Sequence, residues 1–181
     1  MWKFVKSATH PNNWWAHQQR EICFIGRSNV GKSTLINLLA QARVARSSKT
    51  PGRTQLINYF QVRPNLVAVD LPGYGYARVS QSQQAQLARL LDQYFRMAQP
   101  VVVFVLIDAR VGLMRQDEVV ISHLEALNHQ LRIVLTKCDR ARQRQLAQTL
   151  RHPVLQRWPH FKSGVGQPRR LEPLRAFLDT L

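Results

Sequence analysis

The sequence predicts an α/β domain: a mostly parallel central sheet with one antiparallel edge strand and helices on both faces. Three observations predict it. Apolar runs alternate with stretches of helical period from residue 20 onward, the pattern of repeated βαβ units. A glycine-containing loop, Gly26-Arg27-Ser28-Asn29-Val30-Gly31-Lys32-Ser33, joins the first apolar run to the first helical stretch, which is the context a GxxxxGK[ST] phosphate loop requires. Two further runs are separated only by Arg63-Pro64-Asn65, a hairpin-length turn that sets one edge strand against the others.

The N-terminal arm, residues 1–19, contains Pro11, Trp2, Trp14 and Trp15 and shows neither helical nor strand period. Its tryptophans are expected to pack it onto the sheet edge, with stacking on RNA bases as the alternative role. Residues 20–181 are expected to form a single domain, because 181 residues at 45% hydrophobic suffice for one sizeable core. Strands are expected over Ile22–Ile25, Gln55–Val62, Leu66–Val69, Val101–Ile107 and Leu131–Leu135. Helices are expected over Lys32–Ala40, Gln83–Ala98, Asp117–Asn128, Arg140–Leu150 and Arg169–Leu178. The longest apolar stretch, Val101–Ile107, is far shorter than a bilayer span, and the first residues lack the apolar segment of a signal peptide. A cytoplasmic protein without membrane insertion is therefore expected. The two cysteines, Cys23 and Cys138, have no metal-ligand spacing and should be reduced and packed.

The phosphate loop carries the most specific chemistry. Gly26 and Gly31 let the backbone turn and present N–H groups to phosphate oxygens, and the following helix adds a favourable dipole. The segment Gly26, Arg27, Ser28, Asn29, Val30, Gly31, Lys32, Ser33 and Thr34 is the expected nucleotide cradle. Lys32 supplies a point charge for the β- and γ-phosphates, and the Ser33 hydroxyl is placed to ligate Mg²⁺.

Asp70-Leu71-Pro72-Gly73 ends the run Leu66-Val67-Ala68-Val69, so the aspartate emerges at a strand's C-terminal end, the ligand side of an open α/β sheet. Asp70 can hold Mg²⁺ through water, and Gly73, lacking a Cβ, can bring its N–H close to a γ-phosphate. Thr136-Lys137-Cys138-Asp139 ends the run Ile133-Val134-Leu135 in the same way. An ionised Asp139 can accept from guanine N1–H and N2 together, and adenine offers neither donor. Between these elements lies the polar stretch Ser47–Gln55, with Gly52, Arg53 and Thr54 before the next strand. Thr54 is the choice for a hydroxyl that swings in to ligate Mg²⁺ and sense the γ-phosphate, and Thr50 is its competitor.

A formal charge of +16 and a pI near 11.3 point to a nucleic-acid partner. From residue 140 onward the basic residues are Arg140, Arg142, Arg144, Arg151, Arg157, Lys162, Arg169, Arg170 and Arg175, opposed only by Glu172 and Asp179. Arginine suits this task because it pairs bidentately with phosphate and stacks on bases. A solvated basic face kept for solubility is the bland alternative. No DNA-specific motif is present.

Together GRSNVGKS, SKTPGRTQLINYF, DLPGYGYA and TKCD resemble the EngB (YihA/YsxC) group of bacterial GTPases, within the TrmE-Era-EngA-EngB-Septin-like superfamily. The similarity runs from about Phe4 through Asp139. The resemblance implies a Ras-like P-loop GTPase fold, binding of GTP and GDP with Mg²⁺, slow intrinsic hydrolysis, and a role in maturing the large ribosomal subunit. It also implies a link to cell division and septation. Tyr74 stands where Ras-type GTPases place a water-orienting glutamine, so unaided turnover should be slow. Asn29 resembles the asparagine that positions K⁺ in related GTPases. The loop touching guanine O6 has its best counterpart at Lys162 and Ser163, where the family commonly has two small residues. Residues 140–161 are also short for the family's helix and last strand, and Pro168 replaces a common glycine.

The resulting expectation is a monomeric, nucleotide-switched GTPase that assembles the large ribosomal subunit on rRNA. In it Lys32, Thr54 and Gly73 act on the reacting phosphates, and Ser33 and Thr54 hold the metal. Two other readings are an RNA-binding chaperone with a structural nucleotide and a P-loop ATPase or kinase.

Overall fold

The computed structural model describes residues 2–45, 56–75 and 80–181. The expectations placed on Thr50, Gly52, Arg53 and Thr54 fall outside the described residues. Seven strands, β1 (Lys3–Ala8), β2 (Arg20–Gly26), β3 (Ile57–Arg63), β4 (Leu66–Asp70), β5 (Val102–Asp108), β6 (Leu131–Thr136) and β7 (His160–Lys162), form one sheet in the order β1-β3-β4-β2-β5-β6-β7. The helices are α1 (Lys32–Ala40), α2 (Gln81–Met97), α3 (Arg115–Ala126), α4 (Gln143–Leu150), α5 (Pro153–Gln156) and α6 (Pro168–Thr180). Strands β4, β2, β5, β6 and β7 are mutually parallel, whereas β3 runs against β4 and β1 against β3. The antiparallel edge is thus a pair of strands.

Period-two alternation in the buried strands explains the layers. Ile22 and Phe24 of β2, with Val102, Phe104 and Leu106 of β5, face Leu35, Ile36 and Leu39 of α1 and Leu171, Leu174 and Leu178 of α6. Their neighbours Cys23, Ile25, Val103, Val105 and Ile107 face Leu87, Leu91, Tyr94 and Phe95 of α2 and Ile121 and Leu124 of α3. Burying each such side chain contributes about 1.5–3 kcal/mol, so both faces need their helices.

Several elements differ from the sequence reading. The arm contributes β1, whose first residues Lys3, Phe4 and Val5 are exposed, so an edge position erases the strand period. Trp2 packs on Phe24 on the α1 side, whereas Trp14 and Trp15 pack on Tyr94 and Tyr59 on the α2 side; the tryptophans clasp both faces. Helix α3 begins at Arg115 instead of Asp117, because the Asp117 carboxylate accepts the Met114 N–H at 2.9 Å and caps the turn before it. The short stretch from residue 140 to 162 accommodates α4, the single turn α5 and the three-residue β7. Arg142 N–H donates to Gln145 at 3.1 Å, which starts α4 three residues later than the sequence suggests.

Candidate nucleotide-binding site

Parallel pairing brings the C-terminal ends of β2, β4, β5 and β6 to one edge of the sheet, with Phe24 opposite Asp70, Gly26 opposite Leu106 and Asp108 opposite Thr136. The phosphate loop, the DLPG turn and the TKCD element all leave strands at this edge. The phosphate loop turns through Asn29 (φ 61°) and Gly31 (φ 106°), both in the left-handed region, and then enters α1 at Lys32. Alternation of right- and left-handed residues produces a concave nest of N–H groups. The N–H groups of Asn29, Gly31, Lys32, Ser33 and Thr34 have no partner among the described residues. They are therefore available to an anion. Gly26 is required by packing: a Cβ there would lie 2.9 Å from Val30 Cγ1 and 3.0 Å from both Leu106 Cβ and its carbonyl oxygen.

Lys32 Nζ is ion-paired with Asp70 Oδ1, and Asp70 Oδ2 accepts from Asn58 Nδ2 at 3.3 Å. Both partners are largely buried. The Ser33 hydroxyl makes no hydrogen bond among the described residues. Asp70 and Ser33 supply hard oxygen donors, which suits Mg²⁺. No group of three or more His, Cys, Asp or Glu that could hold a metal occurs among the described residues. A divalent ion here would take few protein ligands and complete its shell with phosphate and water, as Mg²⁺ characteristically does.

After Asp70 the chain crosses onto the phosphate loop. Leu71 N–H donates to Phe24 C=O at 3.0 Å, and Leu71 and Pro72 are buried. Gly73 lies on the loop so closely that a Cβ would come within 3.2 Å of Gly26 O and of Ser28 N and Cα. Its own N–H has no partner among the described residues.

Thr136 and Lys137 brace this loop from the other side. The Thr136 hydroxyl donates to Val30 C=O at 2.6 Å, and Lys137 Nζ donates to Asn29 C=O. Lys137, itself at φ 56°, also pairs with Asp108 at 2.9 Å. Asp108 was not singled out by the sequence reading, although its position at the end of the apolar run of β5 is the same signal that marked Asp70. Burial would raise its pKa, but hydrogen bonds from Arg110 and Lys137 outweigh burial and hold the carboxyl down to about 2.

At the far end, Asp139 Oδ1 accepts the Val165 N–H at 3.1 Å and Oδ2 lies 3.5 Å from Arg140 Nε. Cys138 points inward: its thiol reaches Leu135 C=O at 3.2 Å, and burial raises its pKa. Lys162 sits half-buried in β7. Ser163 is buried, and both its backbone groups are engaged, the N–H with Leu135 C=O at 2.8 Å and the C=O with Cys138 N–H at 3.0 Å. The residues that face the Asp139 carboxylate are Gly164, where a Cβ would come within 2.9 Å of Oδ1, and Val165. Gly164 and Val165 directly follow the pair Lys162 and Ser163 read from the sequence.

The profile of a family described as a 50S ribosome-binding GTPase matches residues 21–137. The protein named "Probable GTP-binding protein EngB" from Metamycoplasma arthritidis is 49% identical over 167 residues, covering 92% of this chain and 88% of that protein. Its namesake from Syntrophus aciditrophicus is 40% identical over 183 residues, covering 96% and 93%. Among solved structures, a crystal structure of a probable GTP-binding protein engB superposes with a TM-score of 0.65 at 24% identity, covering 87% of this chain and 97% of that one. Era in complex with MgGDPNP and a 16S ribosomal RNA segment gives 0.61 at 22% identity, covering 91% and 56%, a likeness of fold. With its phosphate loop, DLPG turn and TKCD element gathered at one sheet edge, and with relatives of this identity spanning nearly the whole sequence, the chain belongs to the EngB family of GTPases.

Proposed function

We propose that this GTPase is a nucleotide-switched assembly factor for the large ribosomal subunit, acting in the cytoplasm as a monomer on rRNA and linked, as its family is, to cell division and septation. The observation that carries the reading is the distribution of charge beside the nucleotide site. Arg140, Arg142, Arg144, Arg151, Arg157 and Arg169 are exposed on the loop after β6, on α4, beyond α5 and at the start of α6. Of these, Arg140 meets Asp139 and Arg157 meets Glu125. The others make no ion pair with a described residue. Unmatched guanidiniums on several elements suit a phosphate backbone, to which each contact adds counterion-release energy. The family description, a 50S ribosome-binding GTPase, supports the choice of the large subunit.

In this reading the free N–H groups of the phosphate loop and Lys32 hold the phosphates, and Lys32 exchanges Asp70 for them. Asp139 takes the guanine edge, with the Gly164 and Val165 backbone beside it. Mg²⁺, held by Ser33 and Thr54 and by Asp70 through water, would neutralise charge on the β- and γ-oxygens. Gly73 meets the γ-phosphate. Asn29 is the candidate for K⁺, since its side chain is exposed and makes no hydrogen bond among the described residues; equal hydrolysis rates in potassium and sodium buffers would remove that role.

The test is binding to purified large subunits and to naked rRNA with GDP, a non-hydrolysable GTP analogue or no nucleotide, across a salt series. A subunit-selective, analogue-dependent complex is the expected result. Binding that ignores the nucleotide and falls smoothly with salt would refute the switch, and would favour an RNA chaperone with a structural nucleotide.

A further inference from the structure

Tyr74, the residue that replaces a water-orienting glutamine, is buried. Its hydroxyl donates to Asp117 Oδ1 at 2.8 Å. Burial pushes the phenol's pKa well up, which keeps it a donor. Asp117 is completely buried at the start of α3, 43 residues further along the chain. Its second oxygen accepts the Met114 N–H at 2.9 Å, and Arg27 of the phosphate loop places Nε 3.2 Å from both oxygens. Arg27 also reaches Gly112 C=O at 3.4 Å, in the loop before α3.

The backbone carries the same connection. The β2–β4 ladder, whose last strand pair is Phe24 with Asp70, resumes as a parallel bridge between Arg27 and Tyr74. Ser28 N–H and Oγ both donate to Tyr74 C=O, at 2.8 and 3.1 Å, and Tyr74 N–H donates to Gly26 C=O at 3.3 Å. The chain then leaves through Gly75 at φ 76°, so close to α3 that a Cβ would lie 2.4 Å from Gln116 Oε1. Gly73 is the residue held down by all of this. Its N–H, which has no partner among the described residues, sits directly before the fastened tyrosine.

We propose that Tyr74 and Asp117 are positioning residues for GTP hydrolysis: their hydrogen bond latches the DLPG turn to the phosphate loop and to α3, and thereby sets the Gly73 N–H for the γ-phosphate. The proposal rests on the reading of Gly73 as the group that meets the γ-phosphate. A GDP complex has no γ-phosphate and does not use this N–H, so the latch acts on the discrimination between tri- and diphosphate. Arg27 neutralises the buried carboxylate, and α3 is the element through which a change at the γ-phosphate reaches the protein surface.

Tyr74→Phe removes the hydroxyl and keeps the ring. The measurement is affinity for GDP and for a non-hydrolysable GTP analogue, by calorimetry on the full chain, with thermal melts as the check on folding. The expected result is a loss of about tenfold in the analogue-to-GDP affinity ratio, the effect of one hydrogen bond to a buried charge, with GDP affinity within about twofold of wild type. Asp117→Asn and the double variant complete a cycle, and the losses in the ratio should be non-additive. Equal weakening of both nucleotides, an unchanged ratio, or additive losses would overturn the latch. Gly73→Ala keeps the N–H but places a Cβ within 3.2 Å of Gly26 and Ser28, which displaces that N–H from the phosphate loop, and so separates the underlying reading. If it lowers analogue affinity while Tyr74→Phe does not, the latch fails and the sensor stands; if it leaves the ratio unchanged, the sensor itself fails. Should Tyr74→Phe not fold, hydrogen exchange on the wild-type complexes decides: the Ser28 and Tyr74 amides should exchange more slowly with the analogue than with GDP, and equal exchange would overturn the proposal.

Discussion

Replacing Asp139 by asparagine tests the base-reading assignment with a magnitude that the local geometry allows to be worked out. In the structure Asp139 Oδ1 accepts the Val165 N–H at 3.1 Å, and Oδ2 stands 3.5 Å from an Arg140 guanidinium whose side chain is 68% exposed. The asparagine carbonyl can keep the first contact, and the exposed ion pair contributes no more than about 1 kcal/mol. The melting temperature should therefore fall by no more than about 4 °C. Guanine would feel the change much more. One charge-assisted hydrogen bond, about 1.5–3 kcal/mol, is lost, and an amide donor now faces a guanine donor, at a further cost of about 1–3 kcal/mol. The sum corresponds to a loss of roughly a hundredfold to ten-thousandfold in affinity. Xanthine places a carbonyl where guanine has its amine, so xanthosine diphosphate should gain what GDP loses. Competition of the two diphosphates against a fluorescent guanine nucleotide measures both changes. A GDP affinity reduced by less than tenfold, or no gain for the xanthine nucleotide, would refute the role of Asp139.

Lys32→Ala should abolish nucleotide binding while preserving a native circular dichroism spectrum, since Asp70 retains the Asn58 hydrogen bond; unchanged affinity in a calorimetric titration would remove the phosphate-loop assignment. Gly26→Ala should lower the melting temperature by about 2–12 °C, because a Cβ within 3.0 Å of Leu106 and 2.9 Å of Val30 overpacks the junction by about 1–3 kcal/mol. A shift below 1 °C would mean that the β2–β5 junction yields freely. Asp108, held at about 2 against an ordinary 3.8, contributes stability that is complete above the ordinary value and is lost as pH falls through about 2. Lys137→Met removes one of its donors, so urea unfolding at pH 5, 3 and 2 should show a shallower acid loss than wild type; parallel profiles would contradict the assignment.

Much of the site is legible in the sequence because its chemistry is local. A phosphate loop must place its glycines, lysine and serine within eight residues of each other, so spacing alone singles out Gly26–Ser33. Asp70 and Asp139 announce themselves by ending apolar runs, since strands buried on both faces read as continuous hydrophobic stretches and their C-terminal ends are the ligand side. The hairpin at Arg63-Pro64-Asn65 and the alternation of runs and helical stretches likewise carry the sheet's composition. Family membership follows from the same short segments.

Contacts between distant segments decide the rest. In the sequence Asp117 marks only the expected start of a helix. Only folding brings it to Tyr74 and Arg27, 43 and 90 residues away, where a buried carboxylate becomes the joint between three elements. Asp108 likewise acquires its role through Lys137, 29 residues on. The short strands β1 and β7 escape period analysis because edge strands bury too little to show alternation. That Gly164 and Val165 come to lie beside Asp139 while Ser163 pairs with Leu135 and Cys138 is a hydrogen-bond arrangement that no spacing records. The sequence by itself thus determined the nucleotide class, the family and the order of layers, all set by local spacing and periodic burial. Which side chains brace the phosphate loop and which meet at Asp117 was decided by tertiary structure, since a buried charge or an unpaired N–H exists only once remote segments have excluded water around it.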